Sequence, residues 1–171
     1  MAVTKITYGS LTTITLTLTA LGSYTSREGT LVDNTSTLAM DYVLSGNVKM
    51  GAAASTGDIH VLASSSDGTN ISSPATGSDA AITIPQIDKL GSLSPGQAVP
   101  GTDLIYVGRI YCTGQAAAAV VKFDLGAIAL PVFGGNLPLK WAPVFVNCTG
   151  QGLDGTAGGT VSQTAITFTT A

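Results

Sequence analysis

Residues 13–20 read Thr-Ile-Thr-Leu-Thr-Leu-Thr-Ala, with threonine at every second position. A strand turns successive side chains to opposite faces, whereas a helix brings a face round again only about every 3.6 residues. This segment therefore predicts a strand with Ile14, Leu16, Leu18 and Ala20 inward and the threonines outward. Such a strand suits a sheet that has one face on a core and the other toward water or a partner. Branched side chains at Cβ, threonine's among them, fit a pleated surface and crowd a helix. Residues 160–169 alternate in the same way and predict a closing strand.

Between these two segments the chain reads as further strands parted by Gly, Pro and Ser. Residues 22–34 form a polar connection. Residues 38–50 predict a long strand with Leu38, Met40, Tyr42 and Leu44 on one face, and residues 58–64 another with Ile59, Val61 and Ala63 in phase. A surface loop is expected over residues 64–78 and a short strand over 80–84, ahead of Pro85. Residues 85–102 are irregular, with one helical turn near 86–90. Residues 103–112 are apolar in both phases, which predicts a central strand buried on both sides. Strands are also expected over 117–125 and 139–148, with Pro143 at a bulge or an edge, and residues 127–133 are an apolar run ending at Gly134-Gly135. No long helical stretch is present. The fold class is all-β: one domain over residues 1–171, a jelly-roll-like β-sandwich of about eight to ten antiparallel strands.

The surface of such a domain must be unusual. Hydrophobic residues make up 44% of the chain, but charged residues only 10%, against about 25% in ordinary domains. Glu28 is the only glutamate. Charge normally keeps proteins soluble and apart, so this surface reads as one covered by partners, with a merely uncharged soluble domain as the alternative. The net charge is −3, and the seven Lys and Arg residues are spread singly. Nucleic-acid binding by phosphate neutralisation, which needs clustered cations, is not expected. No run is long enough to span a bilayer, and the N-terminal residues do not resemble a secretion signal. Cys112 and Cys148 accordingly read as two buried small side chains in a reducing compartment, with a disulfide between neighbouring strands as the alternative.

Residues that carry chemistry are few. His60 is the only histidine, and its nearness in sequence to Asp58 and Ser64 is not triad geometry. One histidine and two cysteines do not make a usual zinc site. The segments starting at Asp67 and Asp154 lack calcium-loop spacing and read as turns. No phosphate-binding loop occurs. No catalytic residue, cofactor or metal is expected. Tyr24, Tyr106, Tyr111 and Trp141 are the aromatics available for a sugar platform or an interface anchor, with core packing the stronger reading for Trp141. The candidate interface is Arg27, Glu28, Asp33 and Asn34, together with Trp141 in the segment 134–141. Arg27 suits a bidentate contact to a neighbouring carboxylate; the alternative is an internal pair with Glu28 or Asp33.

Several segments resemble small virion proteins of tailed bacteriophages. They are the opening Met1-Ala2-Val3-Thr4-Lys5-Ile6-Thr7-Tyr8-Gly9, the threonine-alternating strand, Arg27-Glu28-Gly29-Thr30 running into Val32-Asp33-Asn34, Phe133-Gly134-Gly135-Asn136-Leu137-Pro138-Leu139-Lys140-Trp141, and Val146-Asn147-Cys148-Thr149-Gly150. The type resembled is the capsid decoration, or cement, protein. The resemblance implies a jelly-roll module on the outside of the head that bridges major capsid subunits, forms a homo-oligomer, a trimer for choice, and is made in the host bacterial cytoplasm. No nucleic-acid or membrane partner is implied. A tail-associated module that binds a receptor or carbohydrate is the alternative.

Overall fold

The computed structural model describes residues 4–170. Two antiparallel sheets face each other as a β-sandwich. The first is built from β1 (Thr4–Tyr8), β2 (Thr12–Ile14), β5 (Asp41–Lys49), β9 (Val120–Ala127) and β11 (Gly159–Thr170). Its order is β1-β11-β5-β9, with β2 following β1 along the same edge of β11. The second holds β3 (Thr25–Glu28), β4 (Val32–Asp33), β6 (Ile59–Ser66), β7 (Ala80–Ile82), β8 (Ile105–Ile110) and β10 (Lys140–Asn147). Its order is β7-β3-β10-β6-β8, and β4 continues the β3 side of β10. These two orders define a sandwich; jelly-roll connectivity is a further statement that they do not make. One helical turn, α1 (Ala129–Phe133), closes where Gly134 takes a left-handed conformation that glycine adopts without steric cost.

The main core lies between the sheets. Tyr42, Leu44 and Val48 of β5 face Trp141 and Phe145 of β10, with Ile59, Val61 and Ala63 of β6 beside them. A second core lies on the outer face of the second sheet. Leu62, Val144, Val146 and Tyr106 point outward there and are covered by Ile84, Leu90 and Val99. The covering stretch is the irregular segment foreseen after Pro85, and it includes a 3-10 turn over Ile87–Ser92. The second sheet is therefore buried on both faces at its centre, which is why β10 is apolar in both phases.

Four expectations change. Residues 22–34 are not one polar connection, because β3 and β4 run through them and pair with β10. The strand over residues 103–112 is not central; β8 ends its sheet, and β10 and β6 hold the middle. Leu38 and Met40 are not in phase with the core but exposed, Leu38 at a φ of 47°. Pro143 lies at neither a bulge nor an edge but inside β10, opposite Ala63. Its carbonyl accepts the Gly29 N–H at 2.9 Å. In an antiparallel ladder a residue's N–H and C=O face the same neighbour, so the donor that proline lacks is missing at the break between β3 and β4.

The alternation holds from Thr13 to Thr19, mostly outside a ladder, and fails at Ala20, which is exposed at a φ of 54°. Ile14, Leu16 and Leu18 are buried and the threonines between them exposed. Only Thr12–Ile14 pair with β11. The chain then crosses to the second sheet, where the Thr15 carbonyl accepts the Thr30 N–H at 2.9 Å. It closes one side of the sandwich as a wall.

Candidate functional site

The residues first singled out do not make a common surface. Arg27 donates from Nε to Asp79 Oδ1 at 2.6 Å and from Nη2 to the Asp79 carbonyl at 3.0 Å, so its partner is neither Glu28 nor Asp33. Asp79 also accepts the Thr17 N–H and the Thr17 hydroxyl. Burial works to raise the Asp79 carboxyl, but Arg27 and Thr17 outweigh it and hold it below the usual value. This clamp fastens the side wall to the second sheet. Glu28 is 0% exposed and accepts from Thr76 N–H at 2.7 Å, Gly77 N–H at 3.0 Å and the Thr76 hydroxyl at 3.1 Å. Asn34 is buried, bonded to the Ala39 backbone and accepting the Tyr42 hydroxyl at 3.0 Å. Trp141 is also 0% exposed and lies 5.6 Å from the Tyr42 ring, centroid to centroid. Glu28, Asn34 and Trp141 are thus corrected from interface to interior: each holds the fold together from within. Asp33 alone stays at the surface, its carboxylate 3.6 Å from Lys140.

His60 and the cysteines are equally settled. His60 is buried, with Nδ1 3.0 Å from the Tyr106 hydroxyl. Burial lowers its pKa, Arg109 lowers it further, and Asp58 opposes both. Cys148 and His60 line one cleft of about 510 Å³ together with Tyr24 and Asp88. Burial pushes the thiols of Cys112 and Cys148 up to about 11. At neutral pH this pair offers a neutral imidazole and a protonated thiol, not a thiolate nucleophile. Both cysteines are free. Among the described residues, no three His, Cys, Asp or Glu side chains gather where they could share a metal ion.

What the structure does assemble is an apolar end. In β1 and β11, Ile6 lies opposite Phe168 and Tyr8 opposite Ile166. Val161 and Ala165 of β11 turn toward the core, so Ile166 and Phe168, one step out of phase with them, turn outward. Ile6, Tyr8 and Phe168 are exposed, Tyr8 at 66%. The Met40 N–H bonds to the Ile166 carbonyl at 2.8 Å, and the Met40 side chain is also exposed. Asp41 Oδ1 accepts the Ala129 N–H at 2.7 Å and brings up α1, whose Leu130 is 75% exposed. Leu38 and Leu139 reach the same end through Asn34, whose carbonyl accepts the Leu38 N–H and whose N–H bonds to the Leu139 carbonyl. Large apolar side chains left outside singly are ordinary, but a gathering of them marks a contact surface.

No family model, no curated protein and no solved structure matches the chain. The apolar end is thus identified by its own chemistry. The sequence carried a faint sign of it, since Ile6 and Tyr8 alternate with Lys5 and Thr7 as Ile166 and Phe168 alternate with Thr167 and Thr169. Alternation shows that a strand has two unlike faces; it does not say that the apolar one looks outward.

A second feature adjoins this end. A cleft of about 390 Å³ opens between residues 9–14 of the first sheet and 30–33 of the second, with Tyr42, Gln163 and Ala165 at its base. Gln163 Oε1 is buried there and accepts no hydrogen bond.

Proposed function

We propose that this chain is a structural protein of a bacteriophage virion, of the capsid decoration type, which sits on the outside of the head and bridges major capsid subunits. The observation that carries the reading is the apolar end, where Ile6, Tyr8, Leu38, Met40, Leu130 and Phe168 are all exposed. Covering that much apolar surface is favourable in proportion to its area, and interface cores are poor in charge, as this chain is throughout. The resemblance of several of its segments to such virion proteins points the same way. Weak contacts repeated around a homo-oligomer, a trimer in this reading, add through effective concentration, so bridging needs no tight single site. The partner is the major capsid protein, and no catalytic step is involved.

The test is a binding assay on purified heads from which the protein has been stripped. The unaltered chain should rebind in many copies per head. A variant carrying Ile6→Ser and Phe168→Ser should lose rebinding while keeping its melting temperature. Absence of the protein from purified virions overturns the reading. Recovery with tails instead of heads moves it to the receptor- or carbohydrate-binding alternative.

A further inference from the structure

One side of the sandwich is closed by the protein's own chain over only half its height. In the closed half, Leu16 and Leu18 fill the gap between the sheets and Thr17 is clamped to Asp79. In the other half lies the cleft between residues 9–14 and 30–33. We propose that this cleft receives an extended, uncharged segment of a partner protein, which continues the wall and brings a hydrogen-bond donor to Gln163 Oε1.

Three observations support that occupant. Both lips of the cleft are strand edges, because among the described residues β1 and β2 pair only with β11 and β4 only with β10, and open edges take up extended chain through backbone hydrogen bonds. Gln163 Oε1 is a buried acceptor without a donor, and leaving such a group unmet is costly. The ionisable groups in the lining are already engaged: Asp33 by the Thr35 N–H and hydroxyl and by Lys140, Tyr42 by Asn34. The lining thus offers no unengaged charge to an occupant, which favours a neutral segment. The closed half shows what fits, a stretch with aliphatic side chains inward and hydroxyls outward.

The experiment uses the purified chain and the peptide acetyl-Thr-Leu-Thr-Leu-Thr-amide, which copies residues 15–19. Nuclear magnetic resonance follows the Gln163 side-chain amide and the backbone amides of residues 9–13 and 30–33. Shifts should appear at both lips by about 1 mM peptide, the range of a single weak docking site. Replacing both leucines by lysine should abolish them. Ala165→Leu, which fills the base of the cleft, should weaken binding about tenfold. Should that variant not fold, Gln163→Leu removes the acceptor and should weaken binding about fivefold. Absent shifts, shifts spread over the apolar end, or shifts unaffected by both variants overturn the proposal. So does finding the two lips already protected in a self-associated free protein, since the occupant is then a second copy. The inference stands apart from the phage reading: the peptide experiment needs no heads, and head rebinding needs no peptide, so either can fail alone.

Discussion

The two sheets of this sandwich are finished differently. The second sheet has a coat on its outer face. Residues 84–99 cover Leu62, Val144 and Val146, and the loop that Glu28 ties down through Thr76 and Gly77 lies beside them. Among the described residues the first sheet has no such coat: its outward Ile6, Tyr8 and Phe168 stay exposed. One sheet is completed by its own chain, and the other keeps its apolar residues for something else. The stability of the isolated protein should therefore reside in the second sheet, and its capacity to associate in the first.

The sharpest way to break this contrast is at the coat. Leu90 is 0% exposed in the second core, and Leu90→Ala should cost about 3 kcal/mol in urea unfolding. A loss no larger than that of a surface change would mean the coat is only laid on. Next comes Glu28→Gln, which turns a carboxylate accepting two backbone N–H groups and the hydroxyls of Thr76 and Ser64 into an amide with one acceptor oxygen. It should cost about 2 kcal/mol and raise protease sensitivity first within residues 72–79.

A smaller effect should appear with pH, again on the coated side. The folded state holds His60 below its ordinary value of 6.5, so the unfolded chain takes up the proton first. Stability from this group is complete above 6.5 and is lost as pH falls through the interval between the two values. The urea midpoint should fall over that interval in the unaltered protein and fall less in His60→Phe. An equal slope in both would place the titration elsewhere, the half-buried carboxylates Asp58 and Asp79 being next to test at lower pH, since both are held below the usual carboxylate value. The smallest effect belongs to the bare sheet. Ile6→Thr with Phe168→Thr should change stability by no more than about 0.5 kcal/mol, yet reduce self-association in sedimentation at high concentration. A large loss of stability would show those side chains to be core after all.

The sequence made the class of fold legible because alternation is local. Residues 13–20 and 160–169 announced strands, and the burial of Ile14, Leu16, Leu18 and Val161 agrees. Whether a strand lies in a ladder is not local. Nothing within residues 13–20 shows that the chain leaves β11 after Ile14 and crosses to the other sheet. The candidate interface misled for a related reason. Arg27, Glu28 and Asn34 are polar and close in sequence, and polarity is usually a mark of the surface. Here each is bonded to a residue that the fold supplies: Asp79 for Arg27, Thr76 and Gly77 for Glu28, Ala39 and Tyr42 for Asn34. The juxtaposition of Ile6, Tyr8, Ile166 and Phe168 at the apolar end is a product of register between β1 and β11, strands more than 150 residues apart in the chain.

That register also bears on how the protein is made. β11, the last strand in chain order, lies between β1 and β5 and pairs with β2 as well. Three strands that leave the ribosome early must wait for the final one before they acquire hydrogen-bonded neighbours on that side. Pairings this distant along the chain form slowly, and strands that wait with open edges are exposed to aggregation. The second sheet can form its β6–β10 centre before then, so synthesis should yield one assembled layer first and the other only once β11 has emerged. A nascent chain halted before Gly159 should accordingly depend on chaperones far more than one that has just cleared the exit tunnel.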